Sequence, residues 1–136
     1  MSARSKARKR ALDILFESEL RGLAPGATLA DRRAVADRPL NDYTVRLVEG
    51  VAEHLDEIDA TISAYSASWP LERMPAVDRN IVRIGVFELV HVDEVPAAVA
   101  LDQAVTLARE LSTEDSPGFV NGLLAAVASA RADVAQ

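Results

Sequence analysis

Five cationic side chains open the chain, Arg4, Lys6, Arg8, Lys9 and Arg10, and no acidic residue occurs before Asp13. The chemistry such a cluster offers is neutralisation of phosphate, because lysine and arginine gain affinity by releasing the counterions condensed on a polyanion. Five contacts to a single strand would give a salt slope of at most about 3.5 log units per log unit. The rest of the chain has the opposite sign. Of 15 basic residues, ten remain to set against 21 acidic ones, so the body carries −11 within a net charge of −6. An acidic body with a cationic end has an electrostatic pole, and such poles attract polyanions. A solubilising basic tail is the other reading of the same residues, and local composition leaves both open.

Other chemistries lack their residues. Cysteine is absent, which removes disulfides, thiolate zinc sites and cysteine nucleophiles and fits a reducing cytoplasm. His54 and His91 stand 37 positions apart in no ligand motif, so a metal site would need carboxylates gathered by the fold, and none is expected. The six glycines form neither a GxxxxGK[ST] nor a GxGxxG loop. The carboxylates fall mostly at polar helix positions, where acid–base chemistry would lack desolvation. No enzyme and no cofactor are expected.

The elements that must position the cations read as helices throughout. At 136 residues, 49% hydrophobic and only 4% aromatic, the chain has enough aliphatic material for one all-α domain spanning residues 1–136. The first helix is expected from Ser5 to Arg21, with Leu12, Leu15, Phe16, Leu20 and Leu23 as its apolar stripe. On that wheel the cations surround the opening turns, which should then project beyond the core or lie at its margin. The polar stretch from Ala27 to Arg38 permits one short helix. Helices follow from Tyr43 to Leu55 and from Asp56 to Ser66, with a bend expected in the charge-rich run Glu53 to Asp59. That run reads as a solvated face or as a site for a basic partner. Val77 to Val92 has hardly any polar face and belongs in the middle of the domain, where Gly85 would let a neighbour approach closely. Pro96 opens a helix ending near Leu111, and Asp115 or Ser116 can cap the last one. No apolar stretch suits a secretory signal or a membrane span.

In this order, three segments are similar to those of the NusB family: Ala7-Arg8-Lys9-Arg10-Ala11-Leu12-Asp13-Ile14-Leu15-Phe16, then Asp78-Arg79-Asn80-Ile81-Val82-Arg83-Ile84-Gly85-Val86-Phe87-Glu88-Leu89, then Glu114-Asp115-Ser116-Pro117-Gly118-Phe119-Val120-Asn121-Gly122-Leu123-Leu124. The helix Val99 to Leu111 shares the family's rhythm. The resemblance implies a compact all-α fold of six to seven helices in two small bundles. It also implies a transcription antitermination factor that pairs with the small-subunit ribosomal protein NusE. The pair binds the single-stranded boxA element of ribosomal RNA leaders and so acts indirectly on RNA polymerase. Both monomers and homodimers are compatible with it.

Carried over by position, the resemblance gives Arg4, Lys6, Arg8, Lys9 and Arg10 the role of RNA contacts. Phe16, often tyrosine in relatives, either stacks on a base or packs in the core. Asp115, Ser116 and Phe119 match positions near the RNA surface, yet Asp115 or Ser116 serves equally as a helix cap and Phe119 as a core residue. Asp78 matches an acidic position of the NusE-facing surface, or forms an ordinary salt bridge. Ser5 departs from the family pattern, often arginine there, as does the proline-containing connector around Trp69. Two other readings stay open: the N-terminal helical domain of an RNA cytosine methyltransferase, and a self-associating module that does not bind RNA.

Overall fold

Capping residues and chain breakers set the order of elements. The computed structural model describes residues 2–37, 39–66 and 68–135, and among these every regular element is helical. They are α1 (Ala3–Leu20), α2 (Leu29–Val35), α3 (Asp42–Glu53), α4 (Leu55–Tyr65), a 3-10 turn (Leu71–Arg73), α5 (Ala76–His91), α6 (Ala97–Leu111) and α7 (Ser116–Ala135). Met1, Arg38 and Gln136 lie outside the described residues, so the ends of the expected domain and of the expected polar stretch do too. No helix among the described residues is long and apolar enough to cross a membrane.

Ser2 caps α1 by accepting from the backbone N–H of Ser5 at 3.0 Å, and Asn41 caps α3 by accepting from Tyr43 N–H at 2.7 Å. Gly22 and Gly26 take positive φ, +67° and +82°, in the turn that leads α1 into α2, a region in which only glycine is free of strain. The expected bend falls at His54, which ends α3 and begins α4 with φ −106° and ψ 22°.

α5 is the hub. It packs against α1 and α3 on one side and α4, α6 and α7 on the other, so the two groups of helices share it. Every residue from Asn80 to Glu88 is buried, and each fully buried aliphatic such as Ile81 or Val82 contributes about 1.5–3 kcal/mol. Two glycines set the closeness of the packing. A Cβ at Gly85 would stand 2.6 Å from Leu124 Cδ1, so α7 lies directly on α5 there, as its sequence position suggested. A Cβ at Gly50 would overlap the Phe87 ring, which brings α3 equally close.

α1 runs antiparallel to α5, since Arg8 meets Glu88 while Glu19 meets Arg79 and Arg83. Burial raises the carboxyl of Glu19, but hydrogen bonding from Arg79 and the charges of Arg79 and Arg83 outweigh it and hold it below its ordinary value. Arg79 also donates to the carbonyls of Leu71 and Met74, tying the 3-10 turn to the hub. The buried face of α1 differs from the expected stripe: Ala7, Arg8, Ala11, Leu12, Ile14, Leu15 and Ser18 face inward, whereas Leu20 and Leu23 are exposed. A hydrophobicity pattern gives small alanines little weight and counts an arginine as outward, so it turned the helix away from its true inner face.

Candidate nucleic-acid interface

The opening turns of α1 do not project beyond the core. Ala7 and Ala11 allow α1 to lie close on its neighbour α3, where the Thr44 hydroxyl donates to the carbonyl of Ala7 at 3.1 Å. This rotation points Arg8 inward, with 3% of its side chain exposed. Its Nε donates to both carboxylate oxygens of Glu88, at 2.9 and 3.0 Å, and Nη2 stands 2.9 Å from Oε2. The Tyr43 hydroxyl donates to the same carboxylate. Burial, that hydrogen bond and the charge of Glu88 all raise the phenol's pKa, so Tyr43 stays protonated. Arg8, expected among the phosphate contacts, is instead consumed by an internal ion pair.

The other four cations remain available. Arg4 holds its guanidinium 4.6 Å from the centre of the Tyr43 ring, a cation–π contact that orders it at the helix start. Lys6 and Arg10, one turn apart, line a groove of about 640 Å³ together with Asp37, Pro39, Leu40 and Asn41. Lys9 is half-buried on the adjoining face. Among the described residues no carboxylate lies within 4.0 Å of Lys6, Lys9 or Arg10. Lys6, Lys9 and Arg10 thus form an outward arc, and the expected ring of charge is broken by Arg8.

The second set lies at the far end of the hub. Phe16 is half-buried on α1. Phe119 packs partly against the core and meets Trp69 edge-on, with ring centroids 4.6 Å apart. Asp115 is exposed and its carbonyl accepts from Phe119 N–H at 3.3 Å, so it stands at the start of α7. Ser116 is only 1% exposed and donates to Asp78 Oδ2 at 2.7 Å; its hydroxyl is internal and does not face a ligand. Asp78 in turn is fully buried, and Ser112 also donates to it. Its carboxylate sits in the first turn of α5, where the helix dipole favours an anion, and joins the end of α6 to the start of α7. The expectation that Asp78 faces a protein partner is therefore corrected. The contact made by Arg8 and that made by Ser116 are ten residues apart on α5, or about 15 Å along its axis.

The sequence offered no motif for a third constellation: the break at His54 brings that residue and Glu57 beside His91 at the end of α5.

Comparison with known proteins decides the family. The family model described as "NusB family" matches residues 5–129. The chain belongs to the NusB family. A transcription antitermination protein NusB of Kineococcus radiotolerans is 56% identical over 128 residues, covering 94% of each chain. Among solved structures, NusB of T. maritima superposes with a TM-score of 0.82 at 30% identity, over 94% of this chain and 92% of that one. A structure of antitermination factors NusB and NusE in complex with dsRNA matches with a TM-score of 0.78 at 28% identity, over 93% of this chain and 96% of that one. The NusB fold is thus all-α here, with α5 at its centre. Its relatives are named as transcription antitermination factors, not as enzymes.

Proposed function

We propose that this NusB-family chain acts in the cytoplasm as a non-catalytic adaptor that binds boxA-type single-stranded RNA of ribosomal RNA leaders jointly with NusE, and through that complex makes RNA polymerase resistant to termination. The observation that carries this reading is the arc of Lys6, Lys9 and Arg10, outward and free of carboxylate partners among the described residues on a body that is otherwise strongly acidic. Cations that form no ion pair with the protein's own carboxylates, even with Asp37 lining the same groove, remain free to attract phosphate. The groove beside Lys6 and Arg10 falls within the range of about 300–1,000 Å³ typical of ligand clefts, room enough for a splayed nucleotide. Asp115 and Phe119, at the start of α7, offer a second surface, where a partly exposed ring gives a base a stacking face. The acidic body suits a basic ribosomal partner, with Asp78 acting only from within. A solved relative described as a complex with NusE and dsRNA supports both partners while leaving the form of the RNA to experiment.

The test is a titration of boxA RNA, single-stranded and as a duplex, with and without NusE and at several salt concentrations. With three or four phosphate contacts the single-strand salt slope should be about 2–3 log units per log unit. Lys6→Ala, Lys9→Ala and Arg10→Ala together should remove most of that slope. Unaltered affinity in the triple variant defeats the proposal, and preference for the duplex defeats its single-strand part.

A further inference from the structure

The charge-rich run at the α3–α4 corner holds a cluster that the cationic face does not use. His54 occupies the helix break, Glu57 follows one turn later, and His91 comes from the last turn of α5. One ligating atom from each lies within 4.8 Å of the other two. Nε2 of His91 is 3.1 Å from Glu57 Oε1, and Nδ1 of His54 is 3.6 Å from Glu57 Oε2. Two ligands about 2.0–2.1 Å from a tetrahedral ion stand about 3.3 Å apart, so the two observed separations bracket what an ion would impose.

The surroundings favour a cation. His91 ends α5, where the helix dipole is negative, and the exposed carboxylates of Glu53 and Asp56 line a depression together with His54 and Glu57, with His91 outside it. The imidazoles stack with centroids 4.0 Å apart, and the Phe87 ring stacks beside both and closes the core side. Aiming both nitrogen lone pairs at one ion requires these nearly parallel rings to turn about χ2, which their partial exposure permits. Two imidazoles and one carboxylate suit borderline first-row ions and do not suit magnesium or calcium, which take oxygen ligands.

We propose that His54, Glu57 and His91 form a three-ligand site for a divalent first-row transition ion, zinc foremost, with its fourth position open to solvent. The ion joins the α3–α4 corner to the end of α5, and because both histidines must be neutral to ligate, its affinity falls as pH is lowered.

Calorimetric titration of the untagged, chelator-treated full chain with zinc chloride tests this, with cobalt(II) absorption as a report of nitrogen ligation. One equivalent of zinc should bind at neutral pH, and magnesium chloride should give no heat. His91→Gln and Glu57→Gln change partly exposed side chains, so each should keep the circular dichroism of the parent while weakening zinc by at least about tenfold. The proposal is overturned if the parent chain takes up no zinc at about 100 µM, a concentration well above the dissociation constants of structural zinc sites. It is equally overturned if both variants, still folded, bind zinc as the parent does.

Discussion

Replacing Arg8 by alanine separates a cation that builds the fold from one that meets RNA. The substitution leaves the Glu88 carboxylate, 1% exposed, with the Tyr43 hydroxyl and no positive partner. Removing one member of a buried ion pair costs about 3–5 kcal/mol, because an uncompensated charge stays inside. A domain of this kind has about 5–15 kcal/mol in all, so the variant should be marginal. At about 4 °C per kcal/mol for this chain length, Tm should drop by about 12–20 °C. Arg8→Met combined with Glu88→Gln removes both charges and keeps an acceptor for Tyr43, so stability should return to within about 1–2 kcal/mol of the parent. Lys6→Ala, at an exposed position, should stay within about 0.5 kcal/mol. Urea unfolding followed by circular dichroism gives the stabilities, and RNA titration of each folded variant gives the affinities. If Arg8→Ala unfolds within about 1 kcal/mol of the parent yet loses RNA affinity as Lys6→Ala does, then Arg8 faces outward in solution and the inward assignment fails.

Three further expectations follow from single contacts. Gly50→Ala gains about 1 kcal/mol of helix propensity but drives a methyl into the Phe87 ring, so it should destabilise by about 1–3 kcal/mol; unfolding that shows stabilisation would mean α3 is farther from α5 than described. Asp78→Ala strips the buried Ser116 hydroxyl and the half-buried Ser112 hydroxyl of their acceptor and should cost about 1–3 kcal/mol, while NusE affinity of the folded protein, measured by calorimetry, stays as in the parent. Hydrogen bonds from Arg46, then from its own backbone, hold the Glu94 carboxyl down at about 2 from an ordinary value of 4.5. The folded pKa is the lower one, so this ion pair supports the fold above about pH 4.5 and its support is lost as pH falls towards about 2. A carboxyl NMR titration should find that low value in the parent and a return towards 4.5 in Arg46→Ala.

The elements were legible wherever periodicity and punctuation agreed. Pro96, Pro117, Asn41 and Gly22 stand within a residue or two of helix ends, and the near-continuous apolar run of Val77 to Val92 could only be a central helix. Gly85 was legible too, since an interior glycine in a buried helix needs a reason and Leu124 supplies it. The roll of α1 was not legible, because its inner face is built of Ala7, Arg8, Ala11 and Ser18, residues that no hydrophobic pattern selects. Asp78 and Ser116 escaped for a related reason: polar residues are assigned outward unless their partners are known, and theirs come from α6 and α7. The pairing of His54 with His91 depends on the bend, expected in the run Glu53 to Asp59, and on two helices meeting, which sequence spacing does not encode.

The position of Arg8 bears on the proposed RNA face although it does not touch it. Cations at positions 4, 6, 8, 9 and 10 cannot all face solvent on a helix of 3.6 residues per turn that is packed along one side. One of them has to point at the core, and the chain provides Glu88 and Tyr43 to receive it. A guanidinium bonded through two nitrogens to a carboxylate is directional, so the pair fixes the rotation of α1 about its axis. An apolar pair of similar volume would hold α1 on α5 about as strongly but without that directional bond. With the rotation set, Lys6 and Arg10 face the groove and Lys9 the adjoining surface. The buried pair thus helps turn a run of basic sequence into an oriented patch, and the Arg8→Met, Glu88→Gln variant, stable but with this end of α1 held by Thr44 and its apolar packing without the ion pair, should bind boxA RNA with a shallower salt dependence than the parent.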